Sequence, residues 1–96
     1  MRTMLKMQLP TAPTNRAIHE GRLEKLLATT AEALHAEAAY FGVEDGKRTM
    51  WAVFDLDDSA KMPPLFEPAF HELEAAIYLT PVMNSEQLVA GLGALS

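Results

Sequence analysis

The sequence predicts an α+β domain, a four-stranded antiparallel sheet with helices on one face. Three observations predict it. Glu44-Asp45-Gly46-Lys47 lies between two aromatic and β-branched runs, the pattern of a hairpin closed by a two-residue turn. Met4 to Leu9 alternates apolar and polar residues with the period of a strand. From Arg16 to about Glu37, a spacing of 100° per residue gathers Leu23, Leu26, Leu27, Thr30 and Leu34 on one face, the period of a helix.

In chain order, the first strand places Leu5, Met7 and Leu9 on a buried face and Met4, Lys6 and Gln8 on the other. Pro10 and Pro13 end it, and Thr14 or Asn15 then offers a side-chain oxygen to the free amides of a helix start. The long helix that follows carries His19 at the N-terminal end of its apolar face. Gly21 costs it roughly 1 kcal/mol relative to alanine, which either marks a close backbone contact or has no further role.

The hairpin from Ala38 to Leu56 is the best-specified stretch. A turn centred on Asp45-Gly46 pairs Glu44 with Lys47, Gly42 with Thr49 and Tyr40 with Trp51. One face then carries Tyr40, Gly42, Thr49, Trp51, Val53 and Asp55. The other carries Ala39, Phe41, Val43, Arg48, Met50, Ala52, Phe54 and Leu56, and this more apolar face belongs under the helices.

Asp57-Asp58-Ser59 is an acidic cap for a second helix, which Pro63, Pro64 and Pro68 make short and irregular. Phe66 and Phe70 fasten it to the core. Alternation returns from Leu73 to Met83, with Leu73, Ala75, Ile77 and Leu79 set against Glu74, Ala76, Tyr78 and Thr80. Pro81 places the end of that strand at a sheet edge. Asn84 or Ser85 caps a last helix, Glu86 to about Leu95, which Gly91 and Gly93 weaken.

The order strand, helix, strand, strand, helix, strand, with right-handed crossovers, gives a ferredoxin-like βαββαβ sheet of order 4-1-3-2 plus a C-terminal helix. Residues 1–96 make one such domain. Its second sheet face carries Met4, Tyr40, Trp51, Val53 and Tyr78 and has no element left to cover it. A second copy related by a two-fold axis is the economical cover.

Composition narrows the function classes. A net charge of −5 supplies no basic face for nucleic acid. The absence of cysteine removes disulfides and thiolate metal sites. No apolar run reaches the ~18 residues of a membrane span, and Met1 to Pro10 lacks a signal-peptide core, so a soluble cytoplasmic protein is expected. His19, His35 and His71 show no i, i+4 spacing and no HExxH, so no metal site is expected, and no sequence motif calls for a cofactor.

Gly46-Lys47-Arg48 opening a strand that continues Trp51-Ala52-Val53-Phe54-Asp55-Leu56-Asp57-Asp58, with a closing Thr80-Pro81-Val82-Met83, resembles the dimeric α+β barrel proteins. Within that group the chain looks most like small uncharacterised bacterial members. The resemblance implies two ferredoxin-like subunits with their sheets back to back, and a small-molecule pocket between helix and sheet.

Two functions of different class follow. In the first, the chain is a homodimeric structural or small-ligand-binding module without catalysis, its interface formed by Tyr40, Trp51, Val53 and Tyr78. In the second, it is a cofactor-independent monooxygenase or isomerase acting on a small apolar aromatic compound. That compound would be held by His19, Leu23, Phe66 and Phe70, with His19 the candidate catalytic group, as a general base or as a hydrogen-bond partner of the substrate. A closed apolar cavity beside His19 distinguishes the second from the first.

Overall fold

The computed structural model describes residues 1–95. The chain runs β1 (Arg2–Leu9), α1 (Thr11–His19), α2 (Leu23–Leu34), β2 (Ala38–Glu44), β3 (Lys47–Asp55), α3 (Met62–Leu73), β4 (Ala76–Pro81) and α4 (Ser85–Gly93). The four strands form one antiparallel sheet in the order β2-β3-β1-β4. This is the ferredoxin-like arrangement, with its first helix in two pieces and a helix added at the end.

The hairpin forms in the expected register, Tyr40 opposite Trp51 and Glu44 opposite Lys47. Asp45 and Gly46 take φ of 54° and 72°, the positive pair that a type I′ turn needs. Leu5, Met7 and Leu9 of β1 meet Met50, Ala52 and Phe54 of β3 and Phe66, Ala69 and Leu73 of α3 in a single core. Phe54 and Phe66 pack edge to face, with ring centroids 6.2 Å apart. Each such fully buried large side chain supplies about 1.5–3 kcal/mol of burial.

The expected single helix from Arg16 to Glu37 is instead two. Gly21 takes φ of 70°, the Gly21 amide donates to the Ile18 carbonyl, and the Arg22 amide donates to that of Ala17. These two bonds are the Schellman ending of α1, and glycine enters its left-handed position without a Cβ penalty. A Cβ on Gly21 would meet nothing within 4 Å, so the glycine serves the turn and not a close contact. The helix start also lies earlier than expected. Pro10 is the cap, Pro13 sits in the first turn, and Thr14 is inside α1, fully buried.

α3 is longer than its three prolines suggest. Asp58 accepts from the Ala60 amide and caps a 3-10 turn, Ser59–Lys61, that leads into α3. Pro63 and Pro64 occupy the first turn, where amides are free in any helix. Pro68 removes the bond to the Pro64 carbonyl, but both residues face solvent, where water can replace it. The expected short, irregular helix is therefore a continuous one of 12 residues that runs through Pro68. α3 ends at Leu73, which belongs to the helix and not to the alternating strand. Glu74, at φ 54°, makes the turn.

Candidate functional site

With α1, α2 and α3 on one side, the opposite sheet face is largely uncovered among the described residues, with Gln8 and Thr49 buried near the hairpin turn. Strand pairing arranges it in rows. Tyr40, Trp51, Lys6 and Tyr78 stand side by side across all four strands. Ala38, Val53, Met4 and Thr80 form the next row, and Gly42, Thr49, Gln8 and Ala76 the row on the other side. Met4, Tyr40 and Tyr78 are exposed, and Trp51 and Val53 are half-buried. The four aromatic and aliphatic residues expected at an interface thus share one surface.

Gly42 shapes this face. A Cβ there would come within 3.1 Å of the Trp51 ring, so the missing side chain lets the indole lie across the neighbouring strand. Lys6, in the middle of the aromatic row, was not singled out from sequence. Its ammonium lies 4.7 Å from the Tyr78 ring centroid and 3.1 Å from Glu44 Oε2. Glu44 Oε2 aligns with no donor well enough to count as a hydrogen bond, so we read the contact as an ion pair. The contact with Glu44 raises the Lys6 pKa above its ordinary 10.5, against a smaller lowering from burial. Gln8 Nε2, on the same face, reaches the Glu44 carbonyl at 3.4 Å and Asp45 Oδ2 at 3.3 Å. A signal was available for Lys6: it alternates with Met4, on the strand that the topology puts at the sheet centre.

The second candidate is a groove of about 590 Å³ between α3 and β4, open to solvent. Phe66, Phe70, Met62, Ile77 and Leu79 supply most of its wall, and Ser59 and Glu67 are its polar members. Phe66 and Phe70 therefore line the same groove. Leu23 and His19 do not line this groove. His19 is exposed, which corrects its expected inward position. The reason is the break at Gly21: α1 keeps its own phase and buries Thr14 and Ala17. His19, two residues beyond Ala17, is turned about 200° from that face.

Asp57 and Lys61 form an i, i+4 pair at 2.8 Å, and the Lys61 hydrogen bond holds the Asp57 carboxyl below its ordinary 3.8. Among the described residues no three His, Asp or Glu side chains converge as a metal site requires. No described helix is long and apolar enough to cross a membrane.

No known protein-family profile matches the chain, and no curated protein matches it. Among solved structures, the de novo designed protein Ferredog-Diesel is similar, with a TM-score of 0.47 and 6% identity. The alignment covers 84% of this chain and 85% of that one. The assignment of fold rests on strand order and register, not on that likeness.

Proposed function

We propose that the chain acts as a homodimeric module whose two sheets stack back to back, in the manner of a dimeric α+β barrel. The observation that carries this reading is the uncovered face on which Met4, Tyr40, Trp51, Val53 and Tyr78 lie together. Exposed apolar patches rimmed by polar residues mark association surfaces, and aromatic residues are enriched at their centres. The rim here is Arg2, Asp55 and Glu44 on the same face. A stable contact of this kind buries more than about 1,000 Å².

The groove between α3 and β4 supports the small-ligand part of the reading, since it is concave and mostly apolar. It offers no imidazole to serve as base, which leaves the oxygenase or isomerase reading without its named catalytic group. Trp51→Glu tests the proposal. A charge buried between two sheets dissociates the assembly, so light scattering at micromolar concentration gives a smaller mass than wild type, with the far-ultraviolet circular dichroism retained. A wild-type protein that scatters as a folded single chain under those conditions contradicts it.

A further inference from the structure

We propose that β2 pairs edge to edge with β2 of a second copy, antiparallel across a two-fold axis at Phe41. Two four-stranded sheets then become one of eight strands. This contact is separate from the back-to-back stacking of sheet faces: its hydrogen bonds are made by Ala39, Phe41 and Val43, which the stacking does not use.

β2 is an edge strand, and it has none of the devices that keep edges apart. It contains no lysine, proline or bulge, and large apolar side chains stand exposed on both of its faces: Tyr40 at 69%, Phe41 at 59% and Val43 at 73%. The other edge, β4, is shorter and ends in Pro81. The one charged residue of β2, Glu44, is already held by Lys6 at 3.1 Å, and Glu37 just before the strand is held by Arg2 at 2.7 Å. Like-charge repulsion between two copies is therefore muted where an edge is usually protected by it.

The register is self-complementary. A two-residue turn makes Glu44 and Lys47 a hydrogen-bonded pair, and such pairs alternate along an antiparallel ladder. Ala39, Phe41 and Val43 accordingly point their amides and carbonyls to the free edge. A two-fold at Phe41, the midpoint of Ala38–Glu44, pairs Phe41 with itself and Ala39 with Val43 of the second copy. Every free amide and carbonyl in the strand's middle finds a partner. On the helix side the row so formed is wholly apolar, and it closes an apolar groove of about 370 Å³ between Phe41 and Leu27, Ala28 and Ala31 of α2. On the open side Tyr40 comes to stand opposite Gly42 of the second copy, beside the Trp51 indole that lies across that glycine.

In-sheet pairing of this kind has its axis normal to the sheet and leaves both uncovered faces on the same side. Back-to-back stacking has its axis in the plane between sheets. Perpendicular two-folds that intersect close into a tetramer of dihedral symmetry, whereas perpendicular axes that miss each other propagate as a fibre, so the proposed tetramer requires the two axes to meet.

Light scattering on four proteins tests the edge contact: wild type, Phe41→Lys, Trp51→Glu and the double variant. The expected masses are four, two, two and one chains. Val43→Lys, at a still more exposed position, must repeat the halving given by Phe41→Lys, which guards against a fold defect in one variant. If both lysine variants keep the wild-type mass, the edge proposal is overturned. If wild type is two chains and only Trp51→Glu halves it, the edge proposal is likewise overturned while the stacked faces stand. If wild type is two chains and only the lysine variants halve it, the edge contact stands and the stacked faces fail. A wild type of one chain overturns both.

Discussion

Gly21, His35 and Glu74 all take the left-handed backbone conformation at a helix end, with φ of 70°, 50° and 54°, and only the first is a glycine. For a residue with a Cβ that conformation costs about 1–2 kcal/mol. His35 is exposed and ends α2 with its amide on the Glu32 carbonyl and that of Ala36 on Ala31. His35→Gly is therefore expected to raise the unfolding free energy by about 1 kcal/mol, and Gly21→Ala to lower it by about the same. Urea denaturation of the two variants checks both signs. Thr14 is a different liability. It is fully buried, and its hydroxyl has no hydrogen-bond partner among the described residues. Thr14→Val keeps the shape and removes the orphan, so a gain of about 1 kcal/mol is expected in the same assay. Lys6 supplies a pH dependence. Its folded pKa lies above 10.5, so the stability from its pair with Glu44 is complete below that value and disappears as pH rises through the folded value. The stability difference between wild type and Glu44→Gln should shrink as the pH rises above 10.5, whereas a constant difference would contradict the pairing.

At the scale of elements, the hairpin was legible in full because one dipeptide, Asp45-Gly46, specifies both turn type and register. The helix break was not. Gly21 lies inside a pattern whose apolar period runs on to Leu34, and a glycine there reads equally as a weak helix residue or as an ending. That ambiguity displaced His19, whose inward position depended on an unbroken helix. α3 misled in the opposite direction, since Pro63 and Pro64 fall where a helix tolerates them and Pro68 faces water. α4 matches its sequence signals. Asn84 and Gln87 form a reciprocal capping box, with bonds of 2.8 and 2.9 Å, yet the helix buries none of its residues. Nine residues with two glycines are marginal as an isolated helix in water. Hydrogen exchange is expected to show α4 amides exchanging orders of magnitude faster than those of β1, which lies at the centre of the sheet. Equal protection would mean that α4 has a docking surface in solution.

The whole molecule is elongated, 56 × 28 × 17 Å, with a radius of gyration of 15.3 Å where about 12.5 Å is usual for 96 residues. Every described residue from Met83 onward is exposed, so the compact body is the sheet and its three inner helices. That body is finished on one side only. Topology and the inward core follow from periodicity and turn chemistry, both of which are local. The open face was legible as a surplus of aromatic residues on a side of the sheet to which the chain assigns no covering element. The apolar edge of β2 was not, because Phe41 and Val43 alternate as core residues do and only the structure shows that α2 stops short of them.

Trp51 is the chain's only tryptophan and stands in the aromatic row of the open face, so its fluorescence reports on that face alone. Emission and iodide quenching can be followed on dilution from tens of micromolar to nanomolar concentration. Stacked sheets predict blue-shifted emission and low quenching when concentrated, both moving to exposed values as the assembly dissociates. The edge-disrupting Phe41→Lys should still show the shielded state at high concentration. Emission and quenching at exposed values and constant over the whole range would contradict the stacked face.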